Sequence, residues 1–419
     1  MLRALSSHVR LSTSSLFLAL LFLAVSLPTG SIFGVNLKVI VFVMFLAAFV
    51  LYVATNRSAF SRADVFLLLA VTASLCFWSL IGILNGQSDT RQIFLQLREL
   101  ATAILIAWLS IFFIRKGMVR PERLITTIIY GIFSVSLMKV ALIVGLLLFD
   151  LNPAQVIQSI FGETSAVTGS IDFNLVRLEF SADILGGFAL FAVLAPSLSG
   201  VKFRPVPKFV FCLVVLLGSG FLAYSRYVWF IYVVSIFTAM IVERSWKLMA
   251  ATILAVLILC VPFYDAVQTI FEARFLSGGT DVSDAGRLAQ ARALVDEVKT
   301  RPILGKGIGT HSNEWVSSDS NKYSYEMQWL AFLMQFGIVG EIGIVLLIAA
   351  SARDLMMANH PAKLWMLLLF ALWLLASWTN PYMTSSFAGA TFGLFMAMFH
   401  RMRNVAPSLV SPPVSWATG

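Results

Sequence analysis

The sequence predicts an all-α polytopic membrane protein, and two observations lead to this prediction: its composition and its long apolar runs. Hydrophobic residues make up 59% of the 419-residue chain and charged residues only 12%, whereas about a quarter of a soluble chain is charged. Runs such as "LIVGLLLF" and "MLLLFALWLL" have no place on a surface that faces water. These observations exclude a soluble multidomain enzyme, which is the ordinary expectation at this length.

Apolar stretches long enough to cross a bilayer, about 17–25 residues, recur along the whole chain. We predict about twelve transmembrane helices, near residues 13–29, 32–54, 64–84, 99–114, 124–149, 180–197, 209–224, 227–243, 248–264, 326–350, 364–378 and 384–400. The apolar run over 209–243 would be about 52 Å long as one helix, well beyond a hydrocarbon core of about 30 Å. We therefore predict two helices there, with a turn at "YSR" that places Arg226 at the membrane surface.

Basic residues lie mostly in short segments between the apolar runs. Segments such as "RKGMVRPER", "KFRPVPK" and "HRMR" fall on one side of the membrane in this arrangement, and the positive-inside rule makes that side cytoplasmic. We predict that both termini are cytoplasmic, that residues 1–403 form a single transmembrane domain and that 404–419 form a disordered cytoplasmic tail. The net charge is +9, but no basic stripe with interleaved aromatic residues is present, so no nucleic-acid partner is expected.

Three longer loops lie on the opposite face, near residues 85–98, 150–179 and 265–325. Loops of this length are uncommon unless they are functional. The largest is inserted between the ninth and tenth predicted transmembrane helices. Its apolar residues repeat at helical spacing and predict a helix over 283–300, which Pro302 ends.

The segment "GKGIGTH" follows this predicted helix. A dinucleotide-binding loop needs a strand before its glycines and a helix that opens at them, and neither is predicted here. We predict instead a tight turn that needs positive φ at Gly305, Gly307 or Gly309. The nearby pair His311 and Glu314 lacks a third ligand at metal spacing, so no metal site is expected.

Several charged side chains lie on the face that carries the long loops. Four arginines and one carboxylate lie there: Arg177, Arg226, Arg274, Arg287 and Glu326. Guanidinium groups match phosphate oxygens, so this set predicts a phosphate-bearing substrate. The alternative for any single arginine is a side chain that reaches lipid headgroups, and for Glu326 it is a helix N-terminus that favours a negative charge.

An ordered series of segments resembles the bacterial O-antigen ligase and O-antigen polymerase superfamily: "VRLEFSADILGG", "AYSRYVWF", "GRLAQARALVDEVKTRPILGKGIGT" and "EMQWLAFLMQFGIVGEIG". The resemblance covers about residues 170–350. It implies an inner-membrane glycosyltransferase of about a dozen helices whose active site faces the periplasm. Such enzymes move a glycan from undecaprenyl diphosphate to an acceptor hydroxyl, with no metal or other cofactor. Arg177, Arg226 and Arg287 would correspond to arginines at the donor diphosphate, and Arg274 is a further candidate.

One position departs from the family pattern. Ligases of this family usually carry His eleven residues before the first glycine of "GxxG", and counting back from Gly337 in "GIVG" gives Glu326. Within the resemblance, this departure favours a polymerase of lipid-linked repeat units over a standard ligase. Glu326 would be the general base, and His311 is the alternate base. A ligase that transfers the glycan to lipid A core is the first alternative.

A flippase or transporter is the alternative of another class. It should show repeated halves and charges near mid-membrane; no clear halves are present, and Lys139 in "SVSLMKVALIV" is the one mid-span charge that the sequence places, with no role assigned. The partners implied by the resemblance are a lipid-linked oligosaccharide donor, a glycan acceptor, membrane lipids, and a chain-length regulator and flippase of the same pathway.

Overall fold

The computed structural model describes residues 2–27, 36–55, 60–86, 89–149, 178–201, 206–261, 279–316, 321–378 and 380–404. It also describes short pieces between them, at residues 151, 156, 170–171, 175–176, 264, 268 and 272. The predicted tail over 404–419 lies outside the described residues except for Asn404, which ends the last helix.

The described residues are almost entirely helical. Five long helices come first: α1 (Leu2–Ser26), α2 (Leu37–Thr55), α3 (Arg62–Leu84), α4 (Thr90–Arg115) and α5 (Pro121–Leu148). An antiparallel pair of two-residue strands follows, β1 (Ser170–Ile171) and β2 (Leu175–Val176). The middle of the chain forms α6 (Ala182–Leu194), α7 (Pro196–Ser199), α8 (Val206–Phe221), α9 (Arg226–Glu243) and α10 (Trp246–Cys260). The last helices are α11 (Gly279–Thr300), α12 (Gln328–Ser351), α13 (Arg353–Met356), α14 (Lys363–Ala376) and α15 (Ser386–Asn404).

Each predicted apolar stretch overlaps a helix of the structure. Six helices in the described part, α2, α3, α4, α5, α9 and α12, are long and apolar enough to cross a membrane. Shorter apolar segments occur in α1, α6, α8, α10 and α14. The chain is therefore a helical, multi-pass membrane protein, while the count of twelve spans and the side of the membrane on which each loop lies stay predictions.

Helix α6 lies at the centre of the bundle, and every one of its residues is buried. It packs against α5, α8 and α9. Glycine permits the close approach to α9, because a Cβ at Gly187 would lie 2.7 Å from the Ile231 side chain. Small residues at such contacts are typical of helices packed inside a membrane. Helices α2 and α3 instead expose apolar side chains, such as Phe66 and Leu69, as lipid-facing helices do.

Helix α4 begins at Thr90, nine residues before its predicted start, so the predicted loop over 85–98 is wrong for most of its length. Asp89 caps the helix by accepting a hydrogen bond from the Arg91 backbone N–H at 3.1 Å. The first turns contain polar residues, so no apolar run marks them in the sequence. Gln96 among them is almost fully buried.

An ion pair inside the bundle joins α5, α6 and the end of α8. Lys139 Nζ donates to both carboxylate oxygens of Asp183, each at 2.9 Å, and to the Ser219 backbone oxygen at 2.9 Å. Asp183 also accepts from the Phe180 backbone N–H at 2.7 Å. The pair is buried, so either charge alone would carry a large desolvation cost. The sequence showed the lysine without its partner.

Candidate active site

The hairpin between α8 and α9 forms one edge of the candidate site. Helix α8 ends at Phe221 and α9 begins at Arg226, which confirms the predicted division of the long apolar run. Tyr224 in the turn has φ of 46°, and Trp229 Nε1 donates to the Gly220 backbone oxygen at 3.1 Å. Arg226 is thus held at the N-terminal end of α9 by a tightly bonded turn.

Helix α11 supplies the second edge. It confirms the predicted helix over 283–300 and begins four residues earlier. Arg287 Nε donates to Glu326 Oε2 at 2.8 Å, and Arg287 Nη1 donates to Asp284 Oδ1 at 3.1 Å. Arg226 Nη2 lies 3.8 Å from the same Asp284 oxygen. We call these four residues, Arg226, Asp284, Arg287 and Glu326, the ionic cluster.

The ionic cluster is open to solvent on one side. The side chains of Arg226, Arg287 and Glu326 are 38%, 31% and 42% exposed, and that of Asp284 is 61% exposed. Three predicted site residues therefore converge from three different helices or helix ends. The other two predicted arginines, Arg177 and Arg274, lie outside the described residues.

A break in α12 positions the chain that follows Glu326. Gly337 has φ of 64° and ψ of −176°, so its backbone is not helical. The backbone groups freed by this break bond to residues 302–307: Ile338 N–H donates to Pro302 O at 2.9 Å, and Gly307 N–H donates to Gln335 O at 2.8 Å. The loop after α11 thus replaces the missing helical hydrogen bonds, as broken membrane helices require.

Glycine is needed in this loop for both conformation and space. Gly305, Gly307 and Gly309 have φ of 69°, 96° and 83°, which confirms the predicted turn. A Cβ at Gly307 would lie 2.1 Å from the Gly82 backbone nitrogen at the end of α3. The "GKGIG" segment is therefore a structural wedge between α3 and α12.

Buried glutamines connect the wedge to α4 and α12, and join α11 to the start of α12. Gln96 Nε2 donates to Gln335 Oε1 at 2.6 Å, while Gln96 Oε1 accepts from the Gly309 N–H at 2.6 Å. On α11, the buried side chain of Gln290 accepts from the Met327 N–H at 2.9 Å. The Met327 bond fixes the residue next to Glu326 against the helix that carries Arg287. These glutamines were not predicted from the sequence, where their only signal is a polar residue in an apolar or amphipathic run.

His311, the alternate base, lies on the loop between the wedge and α12. Its Nδ1 is shielded from solvent and has no hydrogen-bond partner among the described residues. Burial, and then the positive charge of Lys322, lower the pKa of the imidazole. Within the described part of the chain, no hydrogen bond or ion pair joins His311 to the ionic cluster. No group of three His, Cys, Asp or Glu residues that could hold a metal is found in that same part.

The fold and the site together define a multi-pass membrane protein. Its arginines and a carboxylate meet where the starts of α9 and α12 lie beside α11. A family model described as O-antigen ligase matches residues 211–345. The resemblance to the O-antigen ligase and polymerase superfamily is thereby confirmed over this segment. Members of that superfamily are membrane glycosyltransferase-like enzymes. The match includes Arg226, Glu326 and the break at Gly337, whereas Arg177 precedes it. No curated protein matches the chain.

Proposed function

We propose that this protein is a polymerase that joins undecaprenyl-diphosphate-linked oligosaccharide repeat units of O-antigen or exopolysaccharide. The observation that carries the proposal is the contact of Arg287 with Glu326, beside an Asp284 that also faces Arg226. A general base and two phosphate-binding groups within one partly exposed cluster suit glycan transfer from a diphosphate carrier.

The arginines would bind the diphosphate of the donor. A guanidinium group offers paired N–H donors that match phosphate oxygens. In the free protein Asp284 shares both arginines, but it is exposed and its contact with Arg226 is 3.8 Å long. Exposed ion pairs of this kind contribute about 0–1 kcal/mol, so a diphosphate with several charges can displace the aspartate. Arg177 and Arg274 are proposed to complete the site.

The proposed transfer step uses no metal or other cofactor. The acceptor hydroxyl oxygen attacks the anomeric carbon of the donor glycan and forms the new glycosidic bond. The bond from that carbon to the diphosphate oxygen breaks, and its electron pair leaves with undecaprenyl diphosphate. Glu326 takes the hydroxyl proton, and the arginines stabilise the negative charge that develops on the leaving oxygen.

The ion pair suggests how donor binding prepares the base. While Arg287 Nε bonds to the Glu326 carboxylate, that oxygen is occupied. A diphosphate that draws Arg287 toward itself would free the oxygen for the acceptor proton. His311, with its lowered pKa, would be neutral at neutral pH and is the second candidate for the base.

Two other functions remain as alternatives. A ligase that transfers the glycan to lipid A core would use the same chemistry, and glutamate in place of the family's usual histidine favours the polymerase. A flippase would use a broken helix to line a cavity. Here the break at Gly337 is filled by residues 302–307, and the buried charges of Lys139 and Asp183 pair with each other, so glycan transfer is favoured.

The proposed setting is the bacterial inner membrane, with both termini in the cytoplasm and the ionic cluster at the periplasmic face. The lipid-linked donor and the glycan acceptor are the proposed substrates. A chain-length regulator and a flippase of the same pathway are the proposed protein partners.

Deletion of the gene tests the proposal by gel analysis of the surface glycan. Loss of a polymerase leaves single-repeat products on the lipid A core. Loss of a ligase instead leaves a bare core and glycan on its carrier lipid. An unchanged pattern of glycans would contradict both forms of the proposal.

A further inference from the structure

A second polar site lies apart from the ionic cluster, in a cavity of about 90 Å³ between α2, α4 and the start of α15. Its polar lining is Asn36, Lys38, Arg98, Glu99, Thr102, Ser385 and Ser386. Apolar side chains, Phe42 and Phe45 among them, line the rest of the cavity. One water needs about 10–15 Å³, so the cavity has room for several waters or for a polar group of similar size.

The cavity contains both hydrogen-bond donors and acceptors. Lys38 Nζ donates to Ser386 Oγ at 2.9 Å and lies 3.6 Å from the centre of the Phe387 ring. The guanidinium of Arg98 lies 3.9 Å from the Glu99 carboxylate, a loose contact that leaves capacity on both groups. The Ser385 hydroxyl is shielded from solvent, and the described part of the chain offers it no hydrogen-bond partner.

This mixture fits a sugar better than a phosphate or a lipid chain. A sugar ring carries hydroxyls that donate and accept, which matches the ammonium, guanidinium, carboxylate and hydroxyl groups of the lining. A phosphate diester offers only acceptors, so it would give the Glu99 carboxylate no hydrogen-bond donor. A lipid chain would leave all of the polar side chains without partners, at a considerable cost.

The cavity adjoins the chain segment that carries Glu326. Gln328, two residues after Glu326, bonds to the residues just before Ser385 of the lining: its Oε1 accepts from the Met383 N–H at 2.8 Å, and its Nε2 donates to Thr384 Oγ1 at 3.1 Å. Residues 326–328 therefore connect the cavity to the ionic cluster.

We propose that this cavity binds the hydroxyl groups along one edge of a sugar unit of the acceptor glycan. The inference rests on the proposed function, in which an acceptor hydroxyl displaces a diphosphate. Such a displacement aligns the attacking and leaving oxygens on opposite sides of the anomeric carbon. A donor held at α9 and α11 and an acceptor held at α2 and α4 would approach the segment of Glu326 from different sides, as that alignment requires.

The test measures binding of two probes to the full-length protein in lipid nanodiscs. The acceptor probe is the free repeat-unit oligosaccharide, released by mild acid from the lipid-linked repeat of the source bacterium. The donor probe is undecaprenyl diphosphate. Lys38→Met removes the ammonium and Thr102→Phe fills the cavity. Lys116→Met, just after α4, and Thr127→Phe, on α5, are the matched controls away from the cavity. Thermal unfolding confirms that each variant is folded.

The inference predicts opposite effects on the two probes. Lys38→Met and Thr102→Phe should weaken oligosaccharide binding about tenfold or more and leave binding of undecaprenyl diphosphate unchanged. Arg226→Ala should do the reverse, and both controls should match the wild type.

The outcomes separate failure of the inference from failure of the proposed function. If the wild type binds no oligosaccharide, or if the cavity variants bind it normally, the assignment of the cavity to the acceptor is wrong. The proposed diphosphate site is unaffected by either result. If Lys38→Met loses undecaprenyl diphosphate instead, the cavity holds the donor and the inference is also wrong. If Arg226→Ala leaves undecaprenyl diphosphate binding unchanged, the proposed function fails.

Discussion

Arg287 Nε lies 2.8 Å from Glu326 Oε2, although one residue belongs to α11 and the other precedes α12. Each residue of this pair has a testable property. The Arg287 guanidinium should bind phosphate, and the Glu326 carboxylate should accept a proton once Arg287 no longer bonds to it. The wedge bonds to the backbone of α12 and so supports the chain that follows Glu326.

Replacement of Arg287 by lysine should weaken binding of undecaprenyl diphosphate about tenfold or more, since charge is kept but the paired N–H donors are lost. Binding to the purified protein measures the effect. Arg292→Lys, on the same helix and outside the ionic cluster, is the control and should bind like the wild type. Equal affinity of the Arg287 variant and the wild type would show that paired donation to phosphate is the wrong account of this arginine.

Gly307→Ala should destabilise the protein and lower its activity, because the new Cβ would lie 2.1 Å from the Gly82 nitrogen at a residue with φ of 96°. The expected cost is about 1–3 kcal/mol from the backbone conformation alone. Gly343→Ala is the matched control, since a Cβ added there would meet no atom within 4 Å. Thermal unfolding in detergent measures both, and a normal midpoint for Gly307→Ala would contradict the wedge.

Lys139→Met should lower the free energy of unfolding by about 3–5 kcal/mol, because it leaves the buried Asp183 carboxylate without its cation. The double variant Lys139→Met with Asp183→Leu removes both charges and should recover much of the loss. Unfolding of the single and double variants measures the coupling. If the two single losses simply add in the double variant, the pair does not act as a unit.

His311 predicts a pH dependence of stability. Its ordinary pKa is 6.5, and burial lowers the pKa in the folded protein. Below pH 6.5 the unfolded chain therefore binds more protons at this residue than the folded chain, so the folded state loses stability as the pH falls through 6.5 toward the lowered value. His311→Gln should remove this part of the loss, as the difference between the two unfolding curves measures. Identical pH dependence would contradict the half-buried, neutral imidazole.

The sequence predicted the features that depend on local patterns. The turn before Arg226 followed from the length of one apolar run, and the helix that carries Arg287 followed from its periodicity. Positive φ at Gly307 followed from a glycine-rich segment that directly follows a helix. In each case the physical cause lies within a few tens of residues.

Features that depend on tertiary contacts were missed. The sequence showed Lys139 but could not supply Asp183, which is 44 positions away. The start of α4 was predicted to be a loop because residues such as Gln96 are polar, and the partners that satisfy Gln96 when it is buried, Gln335 and the Gly309 N–H, lie more than 200 positions away. Asp284, which faces both arginines of the ionic cluster, was not singled out because a carboxylate near a helix start also has an ordinary structural role.

The central claim is that Glu326 is the base for transfer, and the most direct measurement is the length of the surface glycan in cells that carry Glu326→Gln. The account predicts single-repeat products in place of a long ladder, with a transfer rate lowered by about 10²–10⁴-fold, at normal levels of the protein in the membrane. Glu314→Gln, on the same loop, should give the normal ladder. A normal ladder from Glu326→Gln would contradict the account.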